Sequence, residues 1–207
     1  MMAAEQRGVV VTRSARDSER VQLSYVFSAA MLETRLARWL ISDRDARRAR
    51  LPRYVEIWID HCLTHGVVEV AETPEGTLAG LAIWQPDPGV EPKNYQRRLA
   101  EAVGHEHLPR FDAFDAAIRR QTAEPGWLGL VGVPPAYQRR GYATAVLRRR
   151  HQHLDRAGIP ICLLAASSHG RLLLVQHGYR DCGPPIVLPD GPRVFAMRRC
   201  PTTEPNA

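Results

Sequence analysis

Trp127-Leu-Gly-Leu-Val-Gly-Val133, followed by Pro134-Pro135 and then by Tyr137-Gln-Arg-Arg-Gly-Tyr142, is the stretch that decides the fold. Seven consecutive residues with no charge, apolar on both alternating faces, predict a strand in the middle of a sheet. The two prolines end it. Beyond the loop, Val146, Leu147 and Leu154 share one face of a predicted helix from about Ala143 to Ala157, which Gly158 stops. The connecting residues Gln138-Arg139-Arg140-Gly141-Tyr142-Ala143 fit the pattern Q/R-x-x-G-x-G/A. Its physical logic is anion binding: successive backbone N–H groups converge on one point, and the helix N-terminus adds about half a positive charge. Gly141 removes the side chain that would block close approach. The segment is neither a Walker A loop nor a dinucleotide fingerprint, because Gly-Lys-Ser/Thr and G-x-G-x-x-G are both absent.

Outward from this unit, residues 160–166 predict a second buried strand. Arg171 to His177 predict a short helix stopped by Gly178, and residues 193–199 a last strand. Towards the N-terminus, Glu72-Thr-Pro-Glu-Gly-Thr77 separates apolar runs at 67–71 and 78–84, which reads as a hairpin. Residues 8–12 predict a first strand, Ser14 to Ser18 the opening of a helix through Met31, and Leu36 to His65 a further apolar helical periodicity. Residues 94–122 predict two short helices divided near Gly104 to Pro109.

The chain has 207 residues, within the range of one domain that buries its own core without disulfides or metals. No apolar run reaches the roughly eighteen residues of a membrane span, and the N-terminus has no secretory core, so no membrane partner and a cytoplasmic location are expected. Cys62, Cys162, Cys182 and Cys200 have no metal-finger spacing, and no metal is expected. Of the 28 cations only Lys93 is a lysine. Residues 139–156 hold six arginines against Asp155, which is most of the net charge of +6 and reads as a solvated helix face or as the neighbourhood of a polyanionic ligand.

The segments Glu124-Pro-Gly-Trp-Leu, Val131-Gly-Val133, Gln138-x-x-Gly141, Ala157-Gly-Ile-Pro160, His177-Gly-Tyr179 and Pro189-Asp-Gly-Pro-Arg193 keep an order and spacing that resemble the GNAT family of acetyl-CoA-dependent N-acyltransferases, in its puromycin-acetyltransferase-like, actinobacterial branch. The resemblance implies an α/β (α+β) fold: one domain over residues 1–200 with a central mixed, mostly antiparallel, splayed sheet flanked by helices on both faces. It also implies an acetyl-CoA-binding core at about 124–200 and a disordered tail at 201–207. The strands at 127–133 and 160–166 would part to leave a slot. The backbone of Val131, Gly132 and Val133 would pair with the pantetheine arm of acetyl-CoA, and Gln138, Arg139, Arg140, Gly141, Tyr142, Ala143 and Thr144 would hold its pyrophosphate. The Val133 N–H would stabilise the oxyanion. The implied reaction is acetyl transfer to a primary amine of a small antibiotic-like or metabolite acceptor, by direct attack in a ternary complex of a monomer or homodimer.

Relatives of this kind carry a tyrosine at the position of Leu174, a glutamate at that of Leu164 and an asparagine at that of Gly170. A positioned acid contributes about 10²- to 10⁴-fold. The departing thiol has an ordinary pKa of about 8.5, so the loss slows transfer without abolishing it. Tyr137, Tyr142, Ser167, Ser168 and His169 lie near enough in sequence to substitute. Ser168 and His169 are the catalytic candidates, His169 because imidazoles titrate near neutral pH. Two other readings stay open: an acyl-CoA-binding sensor or assembly partner with little catalysis, and acyl transfer to protein or aminoacyl-tRNA through Arg148 to Arg150. The second lacks the interleaved aromatics that RNA binding favours, so nucleic acid is not expected as a partner.

Overall fold

The computed structural model describes residues 10–86, 90–121 and 127–202. The first half runs β1 (Val11–Ser14), α1 (Arg20–Met31), α2 (Arg35–Leu40), α3 (Arg44–His65), β2 (Val67–Glu72), β3 (Leu78–Gln85), α4 (Tyr95–Val103) and α5 (Leu108–Gln121). The second half runs β4 (Trp127–Gly132), α6 (Tyr142–Ala157), β5 (Ile161–Ala165), α7 (Ser168–Gln176), β6 (Arg180–Asp181), β7 (Ile186–Val187) and β8 (Arg193–Arg199).

The strands form one open sheet in the order β1-β2-β3-β4-β5-β8-β6, with β7 attached to β8. Every pairing is antiparallel except that of β4 with β5. The apolar side chains of α1 to α5 pack in one cluster with Val70, Leu81 and Ile83 of the sheet. Those of α6 and α7 pack in another with Ala82, Trp84 and Leu163. Residues 81–84 therefore alternate between two cores, which is why all of β3 is buried.

Several boundaries differ from the sequence reading for local reasons. Ser14 belongs to β1, paired with Glu69, and does not open a helix. Arg13 bonds Glu19 and Glu72, and Glu19 accepts the Arg16 N–H at 2.8 Å, so residues 17–19 make a 3₁₀ turn before α1 starts. Residues 8 and 9 of the expected first strand lie outside the described residues. The periodicity from Leu36 breaks into two helices because the Asp43 carboxylate accepts the Ala46 N–H at 2.7 Å and caps α3 afresh. Ser167 caps α7 in the same way, accepting the Gly170 N–H at 3.0 Å, so this helix opens at Ser168 and not at Arg171. Glu124 to Gly126 and the residues from 203 onward lie outside the described set.

At the centre of the sheet Trp84 pairs with Gly129, and its ring lies across the glycine. A Cβ at Gly129 would meet Trp84 ring carbons at 2.3 Å and Leu163 at 2.8 Å, so no other residue fits there. The fully buried indole donates to Glu69 at 2.9 Å, and Arg149 holds the same carboxylate at 3.2 Å. The arginine-rich stretch is accordingly divided: Arg149 is tied to Glu69, and Arg150 is buried with its guanidinium 3.9 Å from the centre of the Trp127 ring. Arg148 to Arg150 do not form one exposed face for nucleic acid. No described helix is long and apolar enough to cross a membrane.

Candidate active site

Beside Gly129 the sheet opens. β4 and β5 pair in parallel only at Trp127↔Ile161, Leu128↔Cys162 and Gly129↔Leu163. Beyond Gly129, β4 stays paired with β3 as far as Gly132 while its other edge leaves β5. That edge carries backbone donors and acceptors with no strand partner among the described residues, the condition under which an extended ligand can add as a strand.

The loop after β4 turns back towards this opening. Gln138 donates its side-chain amide to the Val133 carbonyl at 3.0 Å, so it shapes the loop. Arg139 has a positive φ of 62° and Gly141 one of 90°, which turns the chain sharply into α6. A Cβ at Gly141 would meet nothing within 4 Å. The space at Gly141 is open, and α6 starts there with its first N–H groups, the setting in which a helix N-terminus can hold an anion such as a pyrophosphate. Thr144, one turn into the helix, has its hydroxyl 3.2 Å from His177 Nε2, which links the helix start to the end of α7.

A cavity of about 840 Å³ is lined both by residues of this opening and by residues of α1, α3 and α5. Of the residues singled out from sequence, Val131, Gly132, Val133, Gln138, Arg139, Gly141, Tyr142, Ala143, Thr144 and His169 line it. Arg140 and Ser168 do not; both are exposed, and the structure does not bring them to the cavity. Tyr142 is buried edge-on against Tyr137, with ring centres 6.1 Å apart, so it packs the base of the cradle. Leu164 and Leu174 also line the cavity, which means that the positions where the resemblance places a glutamate and a tyrosine face the site but carry leucine. Among the described residues no group of three or more His, Cys, Asp or Glu is placed to hold a metal ion.

The far half of the cavity was not legible as a site. Its walls are Tyr54, Trp58, Phe114, Ile118 and Leu128, with Asp115 among them. Tyr95 donates its hydroxyl to Asp115 Oδ2 at 2.7 Å, and its ring stacks obliquely on Trp58 at 5.2 Å. Burial pushes the Asp115 carboxyl up to about 6, against the hydrogen bond from Tyr95 and the charge of Arg119. Burial also raises the phenols of Tyr54 and Tyr95. A carboxylate on the same helical stripe as Phe111, Phe114 and Ile118 was the sequence signal that could have pointed here.

Residues 110–180 match the family described as an acetyltransferase (GNAT) domain. The whole chain is similar in fold to an acetyltransferase from Corynebacterium glutamicum described as histone acetyltransferase HPA2 and related acetyltransferase. That likeness has 24% identity and a TM-score of 0.71 and covers 94% of this chain and 98% of that one. It is also similar to an agmatine N-acetyltransferase (14% identity, TM-score 0.63, 92% and 99% covered) and to arylalkylamine N-acetyltransferase 2 from Aedes aegypti (12%, 0.62, 93% and 99%). The fold shared with these structures is the splayed, mostly antiparallel sheet with helices on both faces.

Proposed function

We propose that this protein is an acetyl-CoA-dependent N-acetyltransferase that acetylates a primary amine of a small molecule, an antibiotic-like or metabolite acceptor, in a ternary complex in the cytoplasm. One observation carries the reading: β4 parts from β5 directly after Gly129, and the slot, the Gly141 loop and the far pocket open into one cavity. The match over residues 110–180 supports it. The finer likeness to puromycin N-acetyltransferase rests on the sequence segments around Val131, Gly141 and His177.

In this reading the free edge of Val131, Gly132 and Val133 holds the pantetheine arm, and the N–H groups from Arg139 to Thr144 hold the pyrophosphate. Acetyl-CoA, when bound, supplies an acetyl group activated as a thioester. The Val133 N–H donates to the carbonyl oxygen where negative charge develops. Leu163 and Leu164, which line the slot, keep water from it. His169, exposed at the cavity rim, accepts a proton through water. Neither Leu164 nor Leu174 can move one, so the reaction draws on the fraction of acceptor that arrives neutral. An α-amine with pKa about 7.7 to 8.0 is roughly 10 to 15% neutral at pH 7, whereas a lysine-type amine near 10.4 is neutral in about 0.04% of molecules.

The test is amine-dependent release of the CoA thiol at pH 7, with an aminoacyl-type α-amine and an otherwise similar ε-amine in competition. Preferential acetylation of the α-amine is expected. Preference for the ε-amine would mean that a strong base acts in the site. The leucines at 164 and 174 favour a second reading, an acyl-CoA-binding protein with little catalysis. Thiol release that no primary amine accelerates would select it.

A further inference from the structure

We propose that the far end of the cavity is a second recognition point, where Asp115 binds a distal cationic nitrogen of an elongated acceptor whose other end is the amine that reacts. The inference rests on the acetyltransferase reading for the position of the reacting amine. Asp115 is 7% exposed, faces the same cavity as Val131 and Val133, and is bonded among the described residues only through Oδ2, by Tyr95. Oδ1 is left available. The nearest cation on its own helix, Arg119, is spent on Glu91 at 2.8 Å. Burial raises the carboxyl to about 6, the charge of Arg119 opposes that rise, and no ion pair ties Asp115 to a cation among the described residues.

Strand register sets Asp115 apart from the Val131 end of the cavity, where the acetyltransferase reading puts the reacting nitrogen. Gln85 pairs with Leu128 and donates to the Val90 carbonyl at 2.6 Å, and Glu91, the next residue, pairs with Arg119 one helical turn after Asp115. The carboxylate therefore sits by the Leu128 end of β4. Phe27 marks the other end, since a Cβ at Gly132 would meet its ring at 2.8 Å. From Leu128 to Val131 is three residues, or about 10 Å along the strand. Between the two ends the walls are Tyr54, Trp58, Phe114 and Leu130, which offer an apolar spacer a dry path. A monoamine held at Asp115 would be out of reach of the acetyl group, whereas an acceptor with an apolar spacer and a second basic nitrogen fits both ends.

The experiment compares heptane-1,7-diamine with heptan-1-amine by calorimetry on the whole protein in the presence of CoA, and follows acetylation of both in parallel. The wild type is expected to bind the diamine at least tenfold more tightly, the lower range for a charge-assisted hydrogen bond. In Asp115→Asn, which keeps an acceptor for Tyr95, the two probes should bind alike while CoA affinity is unchanged. Equal affinities in the wild type, or a diamine preference that survives in Asp115→Asn, would overturn the proposal. The binding comparison decides it whether or not either amine is acetylated, since alkylamines of lysine-like pKa are poor acceptors in the transferase reading, which the amine competition tests separately.

Discussion

Gly141→Ala is expected to weaken acetyl-CoA binding about a hundredfold, while Gly158→Ala leaves it unchanged. The two glycines bracket α6, and both have positive φ, 90° and 68°. Neither has an atom within 4 Å of the place a Cβ would take. The backbone strain of a methyl group is therefore alike at both, about 1–2 kcal/mol. What differs is surroundings: Gly141 lines the cavity, and Gly158 caps the opposite end of the helix, bonded to the Asp155 and Leu154 carbonyls. Only at Gly141 does the added methyl occupy the space assigned to the pyrophosphate and tilt the N–H groups that would face it. Two misdirected charge-assisted hydrogen bonds, at about 1.5–3 kcal/mol each, account for a hundredfold or more. Calorimetric titration of both variants, with thermal melts to confirm equal destabilisation, checks this. Equal acetyl-CoA affinity in the two variants would remove the pyrophosphate from this loop.

The second large effect is a gain. Leu174→Tyr is expected to raise kcat about tenfold or more, and Leu174→Phe is not. Leu174 is buried at the cavity wall, and its carbonyl accepts the His177 and Tyr179 N–H groups at 2.9 and 3.0 Å, which holds the backbone there. A phenol there can protonate the departing thiolate, a contribution of about 10²- to 10⁴-fold when ideally placed. Phenylalanine brings the same ring without the proton and so separates chemistry from packing. Steady-state kinetics with acetyl-CoA near saturation give the comparison. If the two variants have the same kcat, protonation of the thiolate is not the step that the leucine leaves unassisted.

The part of the cavity around Val131 and Gly141 was legible because it is built by backbone requirements. An uncharged strand, a proline stop, a glycine that must take positive φ and a capped helix each leave a local trace in sequence. The splay of β4 from β5 came instead from the family resemblance, since pairing that ends at Gly129 depends on strands more than thirty residues apart. The far half of the cavity left almost no trace. Tyr54, Tyr95 and Asp115 come from three different helices, and only tertiary packing brings them together. Ser168 lies near β5 in sequence but outside the cavity lining, because Ser167 caps α7 and the first residue of that helix is exposed. Asp43 shows the same limit at the level of elements, because a cap inside an apolar periodicity divides it without interrupting the pattern.

Backbone amide hydrogen exchange with and without acetyl-CoA tests the central claim most directly, because it reads the backbone groups assigned to the ligand. Bound acetyl-CoA is predicted to slow exchange at Val131 to Val133 and from Arg139 to Thr144, with no comparable protection in β1 or β2. Protection confined to other segments, or none at ligand concentrations that saturate a functional acetyltransferase, would contradict the account.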